Sequence, residues 1–290
     1  MLWLALPLVS SLVVGNGFLE ALEKASKGEW TRPAVVEVSG FYQGRFQSFT
    51  FFGNGVGIRD GREQVRLTRK QVNRVFRELQ KARFTEMPET FGGKPRPTNG
   101  PEVRSMVRVR LGDWGKTVSQ MRDGEQSSAF RRLVERLLHI AAGVPTGLTA
   151  PPGWEALRWV LEGKLAPETL RLELALETSP KPFMTFTVLD GWYTLAMGDG
   201  NVEEGWLTPT QLLQLAKTLR LLEGESHKVR LTLDYLANLR VEVLGSSVEV
   251  VGMKWAGAKR EEKDPLMETW GQVEERLKVF VKELRRSFQS

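Results

Sequence analysis

The chain has 290 residues, 41 Lys and Arg against 35 Asp and Glu, a net charge of +6, and no cysteine. The absence of thiols excludes disulfides, thiol nucleophiles, cysteine zinc sites and a lipoprotein anchor at one stroke. Only two histidines are present, which nearly excludes histidine-ligated metal and triad chemistry, and the usage rich in Arg and Glu and poor in Asn is thermophile-like.

In chain order, the first predicted element is an export signal. Residues 2–14 are a largely apolar run of thirteen, the length of a signal-peptide core and too short to span a bilayer comfortably. Val13 and Gly15 offer a small-residue cleavage site before Asn16. Residues 1–16 are therefore expected to be a signal peptide, with the mature protein periplasmic or extracellular. The flank before the run has no Lys or Arg, so a buried first helix is the competing expectation.

A helix is expected over 18–27, then β-branched and aromatic strands at 34–39 and 46–52, turned by GNGVG at 53–57. The next helix, 69 to about 83, has a clear start. Thr68 can cap the first turn and Gln71 can reach back to it, while Leu67 and Val72 can close a hydrophobic staple. Val72, Val75, Phe76 and Leu79 recur at helical spacing and are expected to face a sheet. Strands at 103–111 and 116–121 follow as a hairpin through Gly112-Asp113, and a closing helix over 127–141 presents Phe130, Leu133, Val134 and Leu137. AAGVPTGLTAPPG (141–153) contains no charge and suits a stiff linker, placed at 144–152.

The remainder repeats this order. LTRKQ at 67–71 returns as LTPTQ at 207–211, FQSFTFF at 46–52 as FMTFTVL at 183–189, LEAL at 19–22 as WEAL at 154–157, and ERL at 135–137 as ERL at 275–277. A nearly constant offset is what a duplicated unit leaves behind. Two copies are expected, 18–143 and 153–290, the second with strands at 170–176, 183–189, 192–197, 229–235, 239–244 and 248–254 and helices at 209–222 and 266–286. Strands grouped, then a helix, then strands and a helix, predict an α+β fold: in each copy an antiparallel sheet with helices packed on one face.

VSGFYQG (38–44) and ARFTEMPETFGG (82–93), set in a glycine-bearing hairpin, a capped helix, two strands and a closing helix, resemble the emfourin-type domains. These are small secreted domains that include an inhibitor of thermolysin-like metalloproteases. The second copy reads LETSPKP and RLLEGESHK in place of the two phrases. The resemblance implies the fold and, at one remove, protease recognition or inhibition; it assigns no inhibitory residue.

Candidate chemistry is sparse. GNGVG lies between strands and lacks the helix start that a phosphate loop needs. DGNVEEG (199–205) spaces Asp199, Asn201 and Glu203 like a calcium loop, but Glu204 stands where the turn needs glycine and Thr210 where the bidentate Glu belongs; a turn is expected. Glu86 with Glu89, and Glu261 with Glu262, are ordinary surface pairs. His139 near a helix end and His227 near a strand start form no triad phrase. The nine tryptophans are scattered, and most are expected in the core. No catalytic residue, metal ligand or cofactor is assigned.

Charge is more informative. Residues 34–141 hold 20 Lys and Arg against 11 Asp and Glu, whereas 153–290 hold 18 against 21. Lys70, Arg74, Arg77 and Lys81 follow i, i+4, i+7, i+11 spacing and line one stripe of the capped helix. They are the candidate binding residues; the matching positions of the second copy are Thr210, Gln214, Lys217 and Leu221. The expected function is a non-enzymatic binding protein of the cell envelope, recognising or inhibiting a protease. The alternatives are an envelope binder of anionic polymer or lipid headgroups, peripheral to the membrane, and a hydrolase without a recognised motif. Nucleic acid is not an expected partner.

Overall fold

The computed structural model describes residues 16–92, 103–121, 127–178, 181–198, 200–223, 236–253 and, in a last helical stretch, 272–273, 275–277 and 279–284. The expected signal peptide therefore lies outside the described residues except for Asn16, as does the expected strand 229–235. The protein is α+β with two sheets. It divides into two compact units, Met1–Asp60 with Val65–Pro145, and Gly61–Gln64 with Thr146–Ser290.

The first unit contains α1 (Asn16–Lys27), β1 (Ala34–Tyr42), β2 (Arg45–Phe52), β3 (Val56–Arg59), the second half of β4 (Glu63–Arg66), α2 (Arg69–Lys81), β5 (Thr90–Phe91), β6 (Val103–Leu111), β7 (Trp114–Met121) and α3 (Ser128–Ala142). Alternation places Ala34, Val36 and Val38 of β1 on one face. Their partners on β6 are Leu111, Val109 and Val107, and Val36 and Val38 also pair with Phe51 and Phe49 of β2. All these side chains are buried in one cluster with Phe18 and Leu22 of α1, Phe76 and Leu79 of α2, and Phe130 and Leu137 of α3. The three helices are amphipathic and bury their apolar stripes on that sheet face.

Glu63 and Gln64 of β4 belong to the second unit, where they pair with β8 (Leu148–Thr149); the eight-stranded sheet has the order β5-β7-β6-β1-β2-β3-β4-β8. This sheet is mixed where a purely antiparallel one was expected, because the two-residue β5 pairs parallel to β7 through Thr90 and Phe91. A 3-10 turn over Phe84–Glu86 carries the chain there, with Arg83 left-handed before it. No local pattern announces so short a strand.

The second unit continues with α4 (Trp154–Leu161), β9 (Leu170–Thr178), β10 (Lys181–Leu189), β11 (Trp192–Met197), β12 (Val202–Trp206), α5 (Pro209–Leu219), β13 (Leu236–Val243) and β14 (Ser246–Met253). Its sheet is antiparallel, in the order β12-β11-β10-β9-β13-β14. Leu170, Leu172 and Leu174 of β9 pair with Val243, Val241 and Leu239 of β13, and all are buried. Phe186 lies 6.3 Å from Phe280 of the last helical stretch. Arg158 of α4 and Arg220 both bind the Glu223 carboxylate, and the hydrogen bond from Arg158 holds that carboxyl below its usual range.

Both units share one strand order. The first reads β7-β6-β1-β2-β3-β4 and the second β14-β13-β9-β10-β11-β12, with β5 and β8 added at the edges of the first sheet. Each has the same capping box before its central helix. Gln71 N donates to the Thr68 hydroxyl at 3.3 Å and Thr68 N to the Gln71 amide oxygen at 2.8 Å. For Thr208 and Gln211 the distances are 3.2 and 2.8 Å. A cap of this kind contributes about 1 kcal/mol and sets the residue at which the helix begins.

Candidate functional site

The burial of Val72, Val75, Phe76 and Leu79 fixes the rotation of α2 about its axis, and the stripe of Lys70, Arg74, Arg77 and Lys81 is left exposed. The helical rise spreads the four over about 17 Å. Lys81 is 3.3 Å from one oxygen of Glu78, whose other oxygen takes Arg136 of α3 at 3.1 Å. Glu78 is itself buried, so this carboxylate ties α2 to α3 more than it neutralises the stripe. Arg77 donates to the Asn73 carbonyl of its own helix at 3.4 Å. Among the described residues Lys70 and Arg74 have no anionic partner. Arg69 is turned away from the stripe and donates to the Gly28 carbonyl just beyond α1, at 2.8 Å.

This arrangement opposes the helix that carries it. The first turn of α2 holds Arg69 and Lys70 and no acid, whereas the partial positive charge at a helix N-terminus favours anions. Lys70 with Arg74, and Arg77 with Lys81, are like charges at i,i+4, each unfavourable by about 0.2–0.5 kcal/mol. Lys70→Glu is therefore expected to stabilise the protein by about 0.5–1 kcal/mol, because it complements the dipole and turns one repulsive pair into an attractive one. A higher urea midpoint at unchanged denaturant slope is the expected reading.

α5 provides an internal comparison. It buries Leu212, Leu215, Ala216, Thr218 and Leu219, the positions at which α2 buries Val72, Val75, Phe76, Glu78 and Leu79. At the places of Lys70, Arg74 and Arg77, α5 exposes Thr210, Gln214 and Lys217. The place of Lys81 is taken by Leu221, half-buried in a 3-10 turn. One helix geometry thus serves both units with one cation or with four, and packing does not require the charge.

GNGVG joins β2 to β3. DGNVEEG is not one turn: Glu203, Glu204 and Gly205 lie in β12, whose pairing with β11 holds them extended, and Asp199 lies outside the described residues. His139 is exposed near the end of α3, with Nδ1 2.9 Å from the Tyr42 hydroxyl. Glu86 is exposed beside Arg83 at 3.7 Å; His227, Glu261 and Glu262 lie outside the described residues. Burial pushes the Lys116 ammonium below its usual value while it donates to the Thr85 carbonyl at 2.7 Å. Among the described residues no group of three or more His, Asp or Glu is placed to hold a metal ion, and no helix is long and apolar enough to cross a membrane.

Two aromatic features were not legible in the sequence. Trp192 and Trp206 are cross-strand partners packed edge to face at 5.2 Å. Alternation puts them on the face opposite the buried Tyr193 and Leu195, where both are half-buried. Phe41 and Phe46 face each other across β1 and β2, with ring centroids 5.7 Å apart, and both are more than half exposed. The register of the β1–β2 hairpin, set by its two-residue turn, was the missing signal. No protein-family model matches the chain, and neither a curated protein nor a solved structure matches it.

Proposed function

We propose that this is an exported, non-enzymatic binding protein of the cell envelope, built by tandem duplication of one α+β unit with its helices on one sheet face. The first unit recognises an acidic protein partner through the exposed stripe Lys70, Arg74, Arg77 and Lys81. One observation carries the reading: the stripe occupies positions that α5 fills with a single cation, and it is kept against the electrostatics of its own helix. Departures of this kind from local consistency concentrate at functional surfaces. The shared strand order and paired capping boxes support the duplication. The resemblance to emfourin-type domains makes a secreted thermolysin-like metalloprotease the first partner to try.

The test is charge reversal, Arg74→Glu with Arg77→Glu, with binding to the metalloprotease and to proteins of a cell-envelope extract followed across a salt series. The intact protein should lose affinity as salt rises, because exposed charges are screened over about 8–10 Å. The reversed protein should bind about tenfold or more weakly at low salt and show a flatter salt dependence. Equal binding and an equal salt slope would return the stripe to solubility alone.

A further inference from the structure

We propose that the tip of the β1–β2 hairpin is a wedge that docks the protein on an anionic lipid bilayer. This does not rest on the α2 stripe. Phe41 and Phe46 are 56% and 54% exposed, although phenylalanines of this sheet such as Phe49 and Phe51 are almost wholly buried. They pack edge to face on the sheet surface away from the helices, one register step from the turn that Tyr42 and Arg45 close. That turn is tight. Gln43 and Gly44 both have positive φ, 49° and 80°, the geometry of a two-residue hairpin whose twist suits its strands.

The tip is also held firmly. Tyr42 points to the other face, where its ring packs against the core and its hydroxyl meets His139. The Gln47 amide donates to the Tyr42 carbonyl at 3.2 Å. The phenyl pair is thus presented on a stiff support, and little ordering is required when it is buried.

The surrounding charge selects the occupant. Arg45 is exposed at the turn, and Val103 and Arg104, both exposed, open β6 beside the end of β1. Among the described residues, two carboxylates near this face are engaged: Glu37 with Arg108 at 3.0 Å, and Asp60 with the Ser48 amide at 2.8 Å. Apolar rings flanked by cations suit the boundary between acyl chains and anionic headgroups. One phenyl pair beside a two-residue turn offers far less than the roughly 1,000 Å² that a specific protein interface needs, whereas insertion into a bilayer requires no matching shape. The fold itself does not ask for the pair, since the position of Phe41 is occupied in β9 by Glu177.

The experiment is co-sedimentation of the full chain with protein-free vesicles, either of phosphatidylcholine alone or of phosphatidylcholine mixed with phosphatidylglycerol. The protein should sediment with the mixed vesicles and much less with the neutral ones. Phe41→Ser with Phe46→Ser should weaken that binding about tenfold or more, and Arg104→Glu about fivefold or more. Far-UV circular dichroism and thermal unfolding check that the variants are folded; if the double variant is not, Phe46→Ser and Arg104→Glu carry the test. Failure of the intact protein to sediment with mixed vesicles, or equal sedimentation of folded variants, would overturn the proposal. So would capture of a soluble protein through the phenyl pair without vesicle binding. The vesicles contain no protein, so an acidic protein partner of α2 plays no part, and the phenylalanine substitutions leave the α2 stripe intact, so binding lost with them is read at the hairpin and not at α2.

Discussion

Phe130→Ala is expected to lower stability by about 3–5 kcal/mol, the cost of removing a buried phenyl group and leaving its cavity. Phe130 is 0% exposed and sits in the first turn of α3, where its own amide donates to the capping Ser127 hydroxyl at 3.2 Å. Its ring lies 5.6 Å from Phe91, so the substitution also removes support from β5. Urea denaturation should show a lower midpoint at unchanged slope, and amides around Thr90 and Phe91 should exchange faster. Phe46→Ala is the matched control. It removes the same group from an exposed site and should cost about 1 kcal/mol or less, the worth of one cross-strand aromatic pair. Comparable losses at the two sites would contradict the core assignment.

Gly40→Ala tests the opposite limit, volume added where none is free. A methyl group at Gly40 would stand 2.8 Å from Val134 Cγ1 and 3.0 Å from Ser105 Cβ. Neither neighbour can swing away: Val134 is β-branched and 2% exposed on α3, and Ser105 Cβ is fixed to the backbone of β6. Relief requires α3 to lift from the sheet, and the expected cost is about 1–3 kcal/mol. Gly44→Ala, at the hairpin turn, meets nothing within 4 Å. Its cost comes from the positive φ alone, about 1 kcal/mol. A cost at Gly40 smaller than at Gly44 would show that helix and sheet do not approach this closely.

Whatever depends on neighbours a few residues away can be read from the chain before it folds. The Thr68–Gln71 and Thr208–Gln211 boxes, with Pro209 at the first helical position, start α2 and α5 at Arg69 and Pro209, because a cap is made within four residues. Spacing at three and four residues identified Val72, Val75, Phe76 and Leu79 as inward and left Lys70, Arg74, Arg77 and Lys81 outside. The candidate binding stripe was therefore legible before any fold was known. Tertiary structure alone decided the rest. β3, β4 and β12 are four or five residues long, and β5 only two; such segments become strands when a distant chain supplies the hydrogen bonds, and carry little pattern of their own. Glu78 gained its buried place from Arg136, 58 residues away. Phe41 and Phe51 belong to similar aromatic, β-branched runs, yet one is exposed and the other buried. Register sets the face, because a shift of one residue exchanges the two faces of a sheet, and place along the strand sets the rest: Phe46 and Phe52 share one face of β2, yet Phe46 beside the turn is exposed and Phe52 is buried.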